Sequence, residues 1–239
     1  MNNTAPAKPI VAVFDFDETL IDTDVAYQFI NAFIKRSKIR RIAFGLLMPV
    51  LLPFLLNPKS RSIAMSVILW CATFPLHGKT GPDLFRAFAT RFWRAPINGR
   101  FYNEGLDALD AHRRLGHRVL IISGSPRQLV KAVLEGKLNP PVEVFGSQVV
   151  PFLGGLVYRH YCMRDGKIRL AREKGVLNGG WDFGYTDSAY DIPLLSHCRH
   201  RFLVNPSRRT ARKVKKAMKD RVTVLNWSDT SPTATKGKP

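Results

Sequence analysis

Two aspartates, Asp15 and Asp17, directly follow a short apolar run at residues 10–14. Because alternate residues of a strand project to the same face, their carboxyl groups are expected to lie close together where a buried strand ends. Carboxylates at that distance repel one another unless a cation lies beside them or one is protonated. Mg²⁺ would provide the cation, and a carboxylate next to it can attack phosphorus and form an aspartyl phosphate. A metal site or a solvated turn without catalysis would also fit this pair.

Two further segments carry groups that suit a phosphate. Ser123 and Gly124 follow the apolar run 118–122, and a hydroxyl with the next amides can hold a phosphoryl oxygen. A serine in that position is also a common helix N-cap. Lys167 would place positive charge on the phosphate oxygens, with Lys174 as the alternative lysine.

Asp187 and Asp191 come after a third candidate strand, 181–185. Asp187 is predicted to ligate the metal and Asp191 to orient that ligand, although both could simply cap the following helix. With a fourth run at 201–204, the apolar segments alternate with helical patterns. This alternation predicts an α/β fold with a doubly wound, Rossmann-like parallel sheet. In such sheets the chemistry gathers at the carboxyl ends of the strands.

The four polar segments together resemble a known set of motifs. DFDETL at 15–20, ISGSP at 122–126, DGK at 165–167 and TDSAYD at 186–191 are similar, in order and separation, to the four motifs of haloacid dehalogenase-like phosphohydrolases. A helical insert directly after the first motif resembles subfamily IB, which includes phosphoserine phosphatase. Residues 65–74, 122–130 and 184–195 are further similar to the phosphatidylglycerophosphatase C family of bacterial lipid phosphatases.

The resemblance implies a two-step reaction. Asp15 would be the nucleophile and a Mg²⁺ ligand, while Asp17 would act as acid and base and meet the metal through its backbone carbonyl. Asp187 would complete the protein's metal ligands, supported by Asp191. Thr19 would support the loop of the first motif. The phosphate would be bound by Ser123, Gly124 and Lys167. Asp24 would contact the substrate from the insert. The sequence departs from the family pattern at Thr186, where many members have glycine.

The insert itself differs in composition from the rest of the chain. We predict a helical cap at 23–97 on a catalytic core formed by 1–22 and 98–227, with a disordered tail at 228–239. Residues 25–82 contain no acidic side chain, and residues 42–56 contain no polar one. With Pro49 and Pro53 inside it, that run is too short to span a bilayer comfortably. Paired with the following apolar run, it predicts a hairpin at about 42–76 that inserts into one membrane leaflet.

The charge of the chain favours an anionic partner. There are 37 Lys and Arg against 18 Asp and Glu among 239 residues, a net charge of +19. Part of this excess lies in a basic helical segment at 208–219, which would either be solvated or contact lipid. The expected partners are an anionic membrane surface and a phospholipid phosphomonoester. Oligomeric state is left open.

These observations, with the resemblance, predict a Mg²⁺-dependent phosphatase that converts phosphatidylglycerophosphate to phosphatidylglycerol at the cytoplasmic face of a bacterial inner membrane. Three widely spaced cysteines without a CxxC pair and an N-terminus without an apolar segment agree with a reducing compartment. One alternative is a soluble phosphatase for a small metabolite such as phosphoserine. A more remote one is a nucleic-acid-binding protein, but no such motif is present and no nucleic-acid partner is expected.

Overall fold

A central parallel sheet organises the computed structural model, which describes residues 8–94 and 101–227. The strand order is β4-β3-β2-β1-β5-β6-β7, and only β3 and β4 pair antiparallel among the described strands. The prediction of a doubly wound α/β fold is therefore confirmed. The strands are β1 (Val11–Phe14), β2 (Arg118–Pro126), β3 (Glu143–Phe152), β4 (Gly155–His160), β5 (Trp181–Thr186), β6 (Cys198–Val204) and β7 (Thr223–Leu225).

Helices cover both faces of this sheet. Those between β1 and β2 are α1 (Val25–Lys35), α2 (Lys38–Leu56), α3 (Arg61–Thr73), α4 (Gly81–Arg94) and α5 (Asn103–Arg114). Those that follow β2 are α6 (Arg127–Leu134), α7 (Asp165–Glu173), α8 (Ile192–Ser196) and α9 (Arg208–Ala217). The predicted division into core and cap stays a prediction. Its boundary at residue 97 and the tail at 228–239 lie outside the described residues.

Strand β1 is the structural centre of the molecule. Its side chains are all buried, as its unbroken apolar sequence predicts for a strand covered on both faces. Phe14, its last residue, pairs with Ile121 of β2 on one side and with Tyr185 of β5 on the other. The residues that follow these three strands therefore converge at one edge of the sheet.

Helix α3 joins the core through β4. The Thr73 hydroxyl accepts a hydrogen bond from the Leu156 amide at 2.9 Å, and the Ser66 hydroxyl accepts one from the Tyr158 amide at 3.2 Å. The Trp70 indole donates to the Phe152 carbonyl at 3.0 Å. These bonds hold α3 against the antiparallel β3–β4 hairpin. One face of α3 is thus part of the molecule's interior.

Helix α2 packs on α3 across the turn at 57–60 but leaves much of its surface in solvent. Within the described residues it is the one helix long and apolar enough to cross a membrane by length and composition, and only 6% of its most apolar window is buried. It continues through Pro49 and Pro53. Its exposed large apolar side chains are Ile39, Ile42, Leu46, Val50, Leu52, Phe54 and Leu56.

The basic segment forms helix α9 and packs on the opposite face of the sheet. Val214 and Met218 are buried there, while the lysines and arginines of the helix are exposed. Ser207 is the N-cap of this helix, and its hydroxyl accepts a hydrogen bond from the Thr210 amide at 3.1 Å. Its narrow apolar stripe therefore serves folding, and its cationic side chains face outward.

A histidine pair packs against aromatic side chains of β1 and β5 on one face of the sheet. Nδ1 of His112, in α5, is 2.8 Å from Nδ1 of His117, and its Nε2 is 3.0 Å from the Tyr185 hydroxyl. Burial, and then the neighbouring His117, lower the pKa of His112 to about 4 from an ordinary value of 6.5. The folded protein therefore holds this ring neutral at pH values where the unfolded chain would protonate it.

We expect His112 to make the protein less stable in acid. Below about pH 6.5 the unfolded chain gains a proton on this histidine, whereas the folded protein gains it only near pH 4. The free energy of unfolding should therefore drop by about 1–2 kcal/mol through this group between pH 7 and pH 5. Urea unfolding of the wild type and His112→Phe at pH 7 and pH 5 measures the effect. The exposed His77, whose φ of 47° asparagine tolerates, provides the control His77→Asn. An unchanged pH dependence in His112→Phe would contradict this prediction.

Candidate active site

Asp15 lies immediately after β1, at the edge of the sheet where β1, β2 and β5 end. Its amide donates to the Tyr185 carbonyl at 2.9 Å, which continues the pairing with β5 by one residue. Its carboxyl Oδ1 accepts from the Phe16 amide at 2.8 Å and is 2.8 Å from the Lys167 ammonium. The carboxylate is therefore buried and fixed in orientation, as a positioned nucleophile requires.

Lys167 reaches the site from the first turn of α7. Its ammonium bridges Asp15 and the Asp191 carboxylate, with the second distance 2.7 Å. Lys174 lies at the opposite end of α7 and is exposed. Of the two lysines considered from sequence, the structure places Lys167 at the carboxylate cluster.

Asp17 is held by the start of the insert and by β2. Its Oδ1 accepts from the Val25 amide at 2.8 Å, and its Oδ2 accepts from the Ser123 hydroxyl at 2.7 Å. Ser123 in turn accepts from the Ser125 amide at 2.9 Å. The Ser123 hydroxyl thus orients Asp17 in this state, in addition to its predicted contact with phosphate.

Asp187 and Asp191 follow β5 and have different partners. The Thr19 hydroxyl donates to Asp187 Oδ1 at 3.1 Å and accepts from the Asp187 amide at 2.9 Å, so it ties the first motif to the fourth. The Thr186 hydroxyl donates to Asp191 Oδ2 at 2.8 Å. The threonine that departs from the family pattern therefore supports Asp191, which in turn holds Lys167.

Two features of the site add to the sequence analysis. Asp24 is the N-cap of α1, where its carboxylate accepts from the Tyr27 amide at 2.8 Å, and it also lines the site cavity. Ser147, which the sequence analysis did not select, donates to the Gly124 carbonyl and accepts from the Cys162 amide at 2.9 Å. It lies on β3, a strand that the sequence analysis did not predict. No local pattern marked it.

The carboxylates of the site repel one another in a buried setting. Burial raises the pKa of Asp15 well above its usual range, against the opposing charge of Lys167. Burial and then Asp24 raise the pKa of Asp17 to about 6, and burial and then Asp191 raise that of Asp187 to about 7. Burial would lower the pKa of Lys167, but Asp15 and Asp191 raise it, so the lysine stays charged.

This balance of charge suits a divalent cation. The carboxyl groups of Asp15, Asp17, Asp187 and Asp191 are accompanied by one ammonium group, that of Lys167, which contacts Asp15 and Asp191. All the carboxyl donor atoms are oxygens, the ligands that Mg²⁺ prefers. Within the described residues, no three His, Cys, Asp or Glu side chains are arranged as a metal site. The ligand set implied by the resemblance needs only two side chains, Asp15 and Asp187, with the Asp17 carbonyl. The residues present therefore fit the ion, and its binding stays a prediction.

A cavity of about 720 Å³ opens onto the carboxylates and is called the catalytic cavity below. Its polar end contains Asp15, Asp17 and Asp187. From there it runs between α1, α2 and α3, with Lys35 and Arg41 also on its wall. Its apolar walls come from those three helices and are formed by Ile30, Ile34, Phe44, Met48, Met65 and Ile68.

Comparisons with known proteins agree with this architecture. The family model described as HAD, haloacid dehalogenase-like hydrolase, matches residues 12–196. A Mycobacterium tuberculosis H37Rv protein named as a probable phosphatase is 23% identical over 215 residues, which cover 86% of this chain and 72% of that protein.

Solved structures show the same fold. A protein of unknown function from Bordetella pertussis Tohama I matches with a TM-score of 0.65 and 20% identity, covering 90% of this chain and 99% of that one. A phospho-aspartyl intermediate analogue of phosphoserine phosphatase matches with a TM-score of 0.55 and 15% identity, covering 91% and 93%.

Proposed function

Because the chain belongs to the haloacid dehalogenase-like hydrolase family, we propose that it is a phosphatase acting on phosphomonoesters through an aspartyl phosphate at Asp15. The relative named as a probable phosphatase supports this activity. The position of Asp15 supports its role, since the carboxylate is buried at the edge where three strands end and is fixed by Lys167. Within the family we propose that the chain belongs to subfamily IB, near phosphatidylglycerophosphatase C.

The first step is attack of Asp15 Oδ2 on phosphorus. Oδ1 is already held by Lys167 and the Phe16 amide, so the other oxygen serves as the nucleophile. The P–Oδ2 bond forms as the bond from phosphorus to the leaving oxygen breaks, and Asp17 gives its proton to that oxygen. A pKa of Asp17 raised to about 6 suits a group that must hold a proton and later remove one.

The second step returns the enzyme to its starting state. The ionised Asp17 takes a proton from water, whose oxygen attacks phosphorus and displaces Asp15 Oδ2, so that inorganic phosphate leaves. Lys167 and the Ser123–Gly124 segment hold the phosphoryl oxygens throughout. Mg²⁺, held by Asp15, Asp187 and the Asp17 carbonyl, would supply positive charge to the transferring group.

The substrate we propose is phosphatidylglycerophosphate, and the observation that carries it is the shape of the catalytic cavity. A small phosphomonoester needs only the polar end, yet the cavity continues between apolar walls of α1, α2 and α3. That arrangement fits a molecule with a terminal phosphate and an apolar body. The product would be phosphatidylglycerol.

We also propose that the protein attaches to the cytoplasmic face of a bacterial inner membrane, and the same helices support a membrane contact. The exposed apolar side chains of α2 adjoin the helix face that lines the cavity. A helix lying in one leaflet would bring the cavity to the level of the lipid phosphates. The exposed cationic side chains of α9 and of the insert are suited to anionic lipid.

We expect lipid substrates to be strongly preferred over small ones. Phosphate release with Mg²⁺ should be measured for phosphatidylglycerophosphate, phosphoserine and a small aryl phosphate, with the lipid in non-ionic detergent micelles. A kcat/KM at least about 100-fold higher for the lipid than for phosphoserine is expected, because only the lipid fills the apolar walls. Preference for phosphoserine, or full activity only in a detergent-free soluble fraction, would favour a small-metabolite phosphatase instead.

A further inference from the structure

A second cavity of about 340 Å³ adjoins the catalytic cavity and is called the arginine pocket here. The two share Tyr158, Tyr161 and Met163 as a common wall. None of the described residues that line the arginine pocket is acidic. Its basic lining residues come from α3, from β4 and from α7 with the residue before it, and are Arg61, Arg159, His160, Arg164 and Arg169.

The positive charge of this pocket is largely uncompensated. Arg61 is fixed by a hydrogen bond from its Nε to the Leu55 carbonyl at 2.8 Å, a partner without net charge. Arg169 lies 3.9 Å from Glu173, but both side chains are mostly exposed, so this ion pair contributes little. An anionic ligand would therefore meet guanidinium groups that retain most of their charge.

Tyr190 links the pocket to the catalytic site. Two guanidinium groups lie over its ring, with Arg61 Cζ 5.2 Å and Arg164 Cζ 5.3 Å from the ring centroid. The same tyrosine lines the catalytic cavity beside Asp187 and Asp191. The two arginines thus stand at the border between the cavities.

Tyr161 lines both cavities, so the two sites are adjacent. Burial raises the pKa of its hydroxyl to about 12, Asp24 and Asp17 raise it as well, and Arg61 lowers it. One hydroxyl group is therefore within electrostatic reach of carboxylates in the catalytic cavity and of a guanidinium in the arginine pocket. A single extended headgroup with two phosphates suits this arrangement, with one phosphate in each cavity.

We propose that the arginine pocket binds a phosphodiester of the substrate while the terminal phosphomonoester of the same molecule lies at Asp15. Guanidinium groups recognise two oxygens of a phosphate at once, which suits this task. The inference rests on the proposed function and narrows it. The enzyme selects lipids that carry both a phosphodiester and a terminal phosphomonoester over phosphatidic acid, which has the phosphomonoester alone.

The test compares two substrates with identical acyl chains, phosphatidylglycerophosphate and phosphatidic acid, in non-ionic detergent micelles. The quantity measured is kcat/KM for phosphatidylglycerophosphate divided by kcat/KM for phosphatidic acid. Arg164→Gln is expected to lower this ratio about tenfold, mainly by raising KM for phosphatidylglycerophosphate. Arg61→Gln should act in the same direction. Arg61→Gln also removes the hydrogen bond from Arg61 to the Leu55 carbonyl of α2, so its effect could include a change in packing. Arg164→Gln removes no such bond among the described residues and is therefore the principal variant. Lys131→Gln, at an exposed position of α6, removes an equal charge outside the pocket and the insert and should leave the ratio unchanged.

The possible failures are distinguishable. Equal losses for the two lipids, or no loss, in Arg164→Gln would overturn the phosphodiester site and leave the phosphatase proposal standing. If the wild type hydrolyses a small aryl phosphate but neither lipid, the lipid substrate itself is wrong and the phosphodiester site falls with it.

Discussion

Asp15→Asn is expected to lower phosphate release by about 10⁴-fold or more, for lipid and aryl phosphate alike. The asparagine amide has the size of the carboxylate but cannot attack phosphorus. Because the loss is in the nucleophile, it should appear in kcat for every phosphomonoester. The substitution should leave folding intact, since it removes one of four mutually repelling carboxyl groups from a buried cluster.

Two measurements accompany this variant. Acid quenching during turnover of labelled substrate should leave phosphate on Asp15 of the wild type and none on the variant. Asp220→Asn is the matched control: the residue is exposed and has a φ of 57°, which asparagine tolerates, so activity should be unchanged. Turnover by Asp15→Asn at the rate of the wild type would rule out the aspartyl phosphate mechanism.

The two central strands that carry the site could be predicted from continuous apolar runs. Runs of consecutive apolar residues without a helical period are typical of strands buried on both faces, and β1 and β2 have them. The signal is weaker in β5, which Asp182 interrupts, and in β6, where only the last three residues are apolar. Strands β3 and β4 lack such a run. They exist because a turn at 153–154, with two positive φ values, folds them into a hairpin that α3 covers. That cover is a long-range contact, which a local pattern does not encode.

The chemistry of the site was predictable to the level of residue types, but its hydrogen bonds were not. Asp15, Asp17 and Asp187 follow strand ends, and the sheet brings strand ends together. By contrast, the Ser123 bond to Asp17 depends on side-chain orientation across two strands, and Ser147 comes from β3.

The two apolar helices of the insert illustrate the same limit. Both α2 and α3 have apolar residues around their whole circumference, so composition alone does not tell which one faces solvent. The structure assigns them different environments: Ala64, Leu69 and Ala72 of α3 are buried, whereas in α2 only Leu51 is buried. Deleting both helices would therefore damage the fold at β4 as well as remove the proposed membrane contact. Substitutions confined to the exposed face of α2 give a sharper test.

Replacing Ile42, Leu46 and Val50 together by glutamine is expected to release the protein from anionic vesicles, with an apparent affinity lower by at least about 100-fold. Burying three such side chains in lipid contributes roughly 5–9 kcal/mol, and even half of that corresponds to this change. The three residues lie on one stripe of α2 and are 61–74% exposed, so their replacement should alter the stability of the fold little. Glutamine adds no charge, which keeps the electrostatic attraction to the vesicle constant.

Flotation with vesicles of phosphatidylglycerol and phosphatidylethanolamine measures the binding, and hydrolysis of an aryl phosphate shows that the core is intact. The matched control replaces Leu115, Phe152 and Leu153 by glutamine, because these apolar side chains are 56–74% exposed and lie outside α2. Loss of binding in the α2 variant alone places the membrane contact on that helix. Undiminished flotation of the α2 variant would refute a membrane contact on α2 and leave the cationic surface of α9 as the attachment site. A changed oligomeric state with unchanged flotation would instead identify the α2 face as a contact between two copies of the chain.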